Sequence, residues 1–296
     1  MTAPQPASPL PEGQNQGTEG LNLDWAGYLR AREYRRALAA ARVGNADPEV
    51  QAALEDLFDL QEALRARRLG VASGLAARLQ THALAMEDPV PFRRALDPDT
   101  FDAGGLLHSD GSGKSTLETG VAALVAAEAE RLTDAASLEA RLAPALAEPL
   151  TRAEALNTLG VLHALQDREA QARQAFGEAF AHDPGHYRAL TNLGNMALEG
   201  GDAASAEKLY RQAIALNGDY AGAHHNLGVA LRKLGRLNDS VRAIKAGQRL
   251  SVRQTKRDQD DELKSNPGTQ RTVQLLRTLM IVLVVVLVLL AVRGRF

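Results

Sequence analysis

The chain has no cysteine. Disulfide scaffolds, thiolate metal sites and a cysteine nucleophile are therefore excluded. Aromatic residues make up only 4% of its 296 residues, with a single Trp. That scarcity argues against a β-sandwich or barrel, whose strands draw on aromatic and β-branched side chains. It favours helices rich in Ala, Leu and Arg. No export signal opens the chain: residues 1–20 hold four Pro, three Gly and no apolar run, and read as a disordered leader. No HExxH pattern or acid–histidine cluster is present, so neither a metal nor a cofactor is expected. No Ser/His/Asp arrangement can be argued from spacing, and no enzymatic activity or small-molecule substrate is expected.

What is present is an ordinary globular composition, 45% hydrophobic and 24% charged, long enough for one or two domains. The net charge of -2 conceals an asymmetry. Residues 219–296 carry 14 Lys/Arg against 6 Asp/Glu, so the acidic excess lies in residues 1–218. A basic end could serve nucleic acid, but no aromatic interleaving or recognition motif accompanies it, and no nucleic-acid partner is expected.

A long uncharged run, TLMIVLVVVLVLLAV, spans Thr278 to Val292, with Arg271 and Arg277 before it and Arg293 and Arg295 after it. Extended back to Val273, the segment 273–292 would reach about 30 Å as a helix, the thickness of a hydrocarbon core. It reads as a single-pass C-terminal transmembrane anchor and resembles the tail-anchored class of membrane proteins. The lipid bilayer is then a partner, and the four arginines flank the membrane. Lacking an export signal, the remainder is expected on the cytoplasmic side. Ala/Leu/Arg-rich usage suggests a bacterial inner membrane; the alternative is the mitochondrial outer membrane.

Three blocks, 151–184, 185–218 and 219–252, align without gaps at a period of 34. Leu159-Gly160, Leu193-Gly194 and Leu227-Gly228 coincide, as do Ala155, Ala189 and Ala223. Phe176, Tyr210 and Ile244 coincide further on, then Ala179, Ala213 and Gly247. Asp167, Gly201 and Gly235 mark a turn between two helices. The repeating glycine lets the first helix of each block approach the second, and each helix pair leaves an apolar face that the next must cover.

These residues resemble the tetratricopeptide repeat pattern. The resemblance implies an all-α fold, an α-solenoid of tetratricopeptide helix pairs, to which the sequence adds one C-terminal transmembrane helix. The expected organisation is a leader over 1–20, helices over 21–96 that are possibly degenerate repeats, and a flexible Gly/Ser loop over 97–116. A further helical pair follows over 117–150, also a possible degenerate repeat. Three repeats then occupy 151–252, a charged linker 253–272 and the anchor 273–292.

The loop contains HSDGSGKST (108–116), which invites a phosphate-loop reading. Its first position is His108 rather than Gly, and no βαβ series surrounds it, so a nucleotide site is not expected. In tetratricopeptide proteins the first helices of the repeats line a concave groove. Asn at certain positions there can clamp the backbone of an extended peptide, because a carboxamide offers both donor and acceptor. Asn192, Asn195 and Asn226 occupy such positions, and Asn157 can extend the row. The chaperone-binding members also hold a terminal carboxylate with Lys and Arg; Thr191 and either Tyr220 or Asn226 stand at those positions here, and that clamp is incomplete. The expected function is a non-catalytic membrane-anchored scaffold or adaptor capturing a protein or peptide partner. The alternative is an assembly factor or chaperone-like component using its outer or N-terminal surface.

Overall fold

The computed structural model describes residues 24–86, 92 and 115–265. These are all-α, with twelve helices and no strand among the described residues. The chain divides into two compact units, residues 1–183 and 184–296.

The first unit holds α1 (Trp25–Arg30), α2 (Tyr34–Val43), α3 (Pro48–Arg65), α4 (Leu69–Ala85), α5 (Thr116–Glu130), α6 (Ala135–Ala147), α7 (Arg152–Leu165) and α8 (Glu169–His182). They pack in consecutive pairs, and neighbouring pairs stack through α2 on α3, α4 on α5 and α6 on α7. The second unit holds α9 (Tyr187–Glu199), α10 (Ala203–Leu216), α11 (Ala221–Lys233) and α12 (Leu237–Ser265). Here α9 pairs with α10 and α11 with α12, while α11 stacks on both helices of the preceding pair.

Short polar side chains start five of these helices by accepting backbone N–H groups that no helical carbonyl can reach. Asp24, Asp47, Asp134 and Asp202 cap α1, α3, α6 and α10. Ser115 forms a reciprocal box with Glu118: its Oγ accepts from the Glu118 N–H at 3.2 Å, and its own N–H donates to Glu118 Oε2 at 2.9 Å. Ser115 and Thr116 thus belong to the start of α5 rather than to the loop expected over 97–116. The rest of HSDGSGKST lies outside the described residues.

The hairpin turns show what residues 167, 201 and 235 are for. Each takes a left-handed backbone, with φ of 57° at Asp167, 87° at Gly201 and 77° at Gly235. Arg32, Arg67 and Arg131 do the same in the earlier hairpins. The repeated glycine has an equally direct reason. A Cβ on Gly160 would sit 2.6 Å from the Phe176 ring, and one on Gly194 would sit 2.6 Å from the Tyr210 ring. Gly228 meets Ile244 and the Ser240 carbonyl in the same way. The second-helix aromatic thus seats on the glycine of its own repeat. Tyr210 also joins Leu227, Ala230 and Leu231 of the following pair in one buried cluster.

The first unit has the larger core, in which Leu54, Leu57, Leu60, Leu79, Val121 and Leu142 are fully buried. It is also tied across a long stretch of chain. Asp183, the residue that ends α8, accepts from Arg65 Nε at 2.8 Å, from Arg65 Nη2 at 2.6 Å and from Gln61 Nε2 at 2.9 Å. Its side chain is 7% exposed. Burial opposes the Arg65 charge, but the Asp183 hydrogen bonds and charge, with Glu62, outweigh it and raise the guanidinium pKa.

Two expectations are corrected here. Helix α12 continues unbroken through residues 253–265, the start of the segment read as a charged linker. Lys, Arg, Gln, Glu and Leu supply eight of its thirteen residues against three Asp, and no Gly or Pro interrupts it before Pro267. The membrane localisation is also overturned. No helix among the described residues is long and apolar enough to cross a membrane. The longest, α12, has 29 residues, but charged side chains recur along its whole length. Segment 273–292 and Arg271, Arg277, Arg293 and Arg295 lie outside the described residues.

Candidate functional site

The four expected asparagines fall into two groups. Asn157, on α7 of the first unit, is fully buried and lies one turn from the equally enclosed Glu154. It is not on an open face. Asn192, Asn195 and Asn226 belong to the second unit and are half-buried, with side chains that reach its surface.

Two of these meet directly. Asn195 on α9 and Asn226 on α11 are 31 residues apart in sequence, yet Asn226 Nδ2 donates to Asn195 Oδ1 at 2.8 Å. The Tyr210 hydroxyl on α10 donates to the same oxygen, also at 2.8 Å. Burial, with Glu199 adding to it, pushes the Tyr210 phenol well above its ordinary pKa, so it stays an O–H donor throughout the physiological range. With both lone pairs of Asn195 Oδ1 engaged, its carboxamide has one orientation. The Asn195 NH₂ group is left to donate and the Asn226 carbonyl oxygen to accept. That pairing is the complement of a peptide unit, which presents one C=O and one N–H.

Aromatic rings brace the starts of the two helices that carry the asparagines, with Tyr187 buried. Tyr187 opens α9 and Tyr220 immediately precedes α11; their ring centroids lie 4.9 Å apart at 54°. The His186 ring caps α9, with Nδ1 accepting from the Ala189 N–H at 3.1 Å. These contacts fix the first turns of the two helices that carry the asparagines.

The role of the Tyr210 hydroxyl is absent from the repeat reading, which assigns that position to packing. A signal for it exists. Only the second block has Tyr at this position together with Asn at 195. The equivalent pairs are Phe176 with Val161 and Ile244 with Val229, apolar on both sides. A polar pair appearing together in one repeat marks a hydrogen bond that the others cannot make.

Comparison with known proteins supports the repeat. Residues 158–221 and 191–251 match the family model described as Tetratricopeptide repeat. No curated protein matches the chain. Among solved structures, the second TPR of Spaghetti (RPAP3) bound to HSP90 peptide SRMEEVD is similar at 24% identity and a TM-score of 0.32. The match covers 33% of this chain and 91% of that one. A crystal structure of MamA is similar at 18% identity and a TM-score of 0.35, over 66% of this chain and 95% of that one.

Proposed function

We propose that this chain is a non-catalytic scaffold that captures an extended segment of a partner protein on the α9–α11 face. Asn195 donates to a carbonyl of the captured backbone, Asn226 accepts from the N–H beside it, and Asn192 makes a further contact along α9. The observation that carries this reading is the Tyr210–Asn195–Asn226 chain of hydrogen bonds. It fixes the carboxamides before any partner arrives, so little rotamer entropy remains to be lost on binding. Asn157 has no part in it, because its side chain is enclosed. The capture is of backbone, and side chains of the partner add selectivity through neighbouring surface.

The test is site-specific photocrosslinking from position 192 in the full chain, in cells, beside an Asn195→Ala/Asn226→Ala variant. Two lost hydrogen bonds at about 0.5–1.5 kcal/mol each predict a roughly 5- to 150-fold loss of crosslinked partner. Circular dichroism should show unchanged helix content. If the same partners crosslink at the same level in the variant, the reading is wrong and recognition lies on another surface.

A further inference from the structure

A concavity lies in the same unit, away from the asparagines. A cavity of about 440 Å³ opens between α10, α11 and α12. It is open to solvent over most of its extent, a shallow trough rather than an enclosed pocket. On α11 it is lined by His224, Leu227 and Leu231. At about 100° per residue, Asn226 points some 100–160° round the helix from these three. The two sites therefore occupy different faces of α11.

The chemistry of the cavity is divided. Its floor is aliphatic: Leu227 and Leu231 are buried, and Ile214 and Ala243 are half-buried beside them. Its rim is cationic, formed by Arg211, Arg236 and Arg242. Only two carboxylates balance the three guanidinium groups. Glu207 accepts from Arg211 and from Arg236, each at 2.6 Å. Asp239 accepts from Arg236 Nη2 at 2.7 Å and from Arg242. Those bonds hold the Asp239 carboxyl below its ordinary pKa, Arg242 contributing first and Arg236 next. One positive charge remains over, and the Arg242 side chain, 79% exposed, carries it toward solvent.

The excess continues beyond the rim. Lys245, Arg249, Arg253 and Lys256 follow on α12, all exposed, at spacings of four, four and three that keep them on one side of the helix. A small free anion would use the rim and leave this row idle. A nucleic-acid strand would find no aromatic lining on which to stack a base. An acidic polypeptide uses all of it.

We infer that this cavity is a second docking site, for an acidic segment of a partner protein whose aliphatic or aromatic side chain enters the floor. A carboxylate flanking that side chain takes the guanidinium of Arg242, and acidic residues further along follow the basic row of α12. This site is independent of the backbone capture proposed for α9 and α11, and a partner engaging both would gain from their linkage.

The test is selection of a phage-displayed random dodecapeptide library on the full-length protein, followed by fluorescence anisotropy with the labelled winners. The comparison is with Arg211→Ala/Arg242→Ala, which turns the cluster from one excess positive charge to one excess negative charge. Glu207 and Asp239 keep Arg236 in that variant, so the fold is retained. Arg242→Glu is a second variant of the same sign. The expected winners carry an apolar side chain within four residues of Asp or Glu. Both Arg variants should weaken them at least tenfold, and Asn195→Ala/Asn226→Ala should leave them unchanged. Winners without acidic residues, a loss under tenfold in the Arg variants, or single-stranded DNA binding more tightly than any selected peptide would overturn the inference. A loss confined to the Asn variant would overturn it while leaving the proposed function standing.

Discussion

In the first unit one buried carboxylate is held by two side chains from far along the chain, whereas in the second a chain of hydrogen bonds leads from a buried tyrosine to the surface. Asp183, Arg65 and Gln61 form a closed set at the end of α8, with Asp183 and Gln61 buried. Tyr34 is buried near them and feels their charges. In the second unit Tyr210 starts in the core and hands its hydroxyl to Asn195, which meets Asn226 at the surface. The turns differ as well. The first unit puts Arg32, Asn45, Arg67, Arg131 and Asp167 in left-handed backbone, while the second uses Gly201 and Gly235. A side chain in that conformation costs about 1–2 kcal/mol where Gly costs little. The first unit combines these costs with a larger core and an ion pair across 118 residues of chain. The difference teaches where to look for each property: stability in the closed network, binding in the open one.

The sharpest way to break that contrast is to open the closed network. Arg65→Ala takes from the buried Asp183 carboxylate the guanidinium that donates to both of its oxygens. Removing one partner of a buried pair costs about 3–5 kcal/mol. Urea titration should show this loss, and hydrogen exchange should place it in α2, α3 and the end of α8. The matched change in the second unit, Arg242→Ala, removes an exposed partner and should cost under about 1 kcal/mol. Equal losses in the two variants would mean that the network around Asp183 is not a closed one.

Legibility of the fold from sequence divides along the same line. The 34-residue period announces α7 to α12 because Gly160, Gly194 and Gly228 each meet a bulky residue sixteen positions later, a constraint that shows in the letters. The turn positions 167, 201 and 235 are visible for the same kind of reason, since a left-handed residue recurs there. The Asp183–Arg65 tie has no such signature. It is a contact between side chains far apart in sequence, and nothing in the spacing of Arg65 announces a partner. The asparagine row was visible as residue types at repeat positions, yet burial separates Asn157 from the others, and burial depends on what covers a helix face. Charge density over 253–265 suggests an exposed linker, and an exposed helix satisfies the same pattern. The membrane expectation rested on residues 273–292 alone, and no described helix supports it.

A second probe of the closed network uses pH. Burial first, with the charge of Asp183 adding, raises the Tyr34 phenol from 10.0 to about 12. Below pH 10 both folded and unfolded chains keep this proton, and stability is complete. Between pH 10 and about 12 the unfolded chain gives it up while the folded chain does not. The folded state is then disfavoured by about 2–3 kcal/mol at the upper end, two pKa units at about 1.4 each. Tyr34→Phe has no proton to lose. Its urea midpoint should therefore fall less steeply than that of the parent protein from pH 10 upward, with the curves parallel below. Parallel curves over the whole range would place Tyr34 in contact with water.

The smallest expected effect carries the most about binding. Tyr210→Phe makes the second repeat resemble the first, where Phe176 covers Gly160 without a hydroxyl. The ring still fills the space over Gly194, so no cavity forms, and the lost hydrogen bond costs only about 0.5–1.5 kcal/mol. Asn195 Oδ1 keeps Asn226 as its one donor, and the carboxamide is freer to turn. If orientation of that carboxamide matters for capture, Tyr210→Phe weakens partner crosslinking from position 192 by more than its effect on stability would suggest. A double-mutant cycle with Asn195→Ala separates the two contributions. In Asn195→Ala the hydroxyl has lost its acceptor, so a second change at Tyr210 should alter neither stability nor capture much further. Strict additivity of the two changes would mean that the hydroxyl and the carboxamide act alone. The open network would then be two adjacent polar groups rather than one device reaching from core to surface.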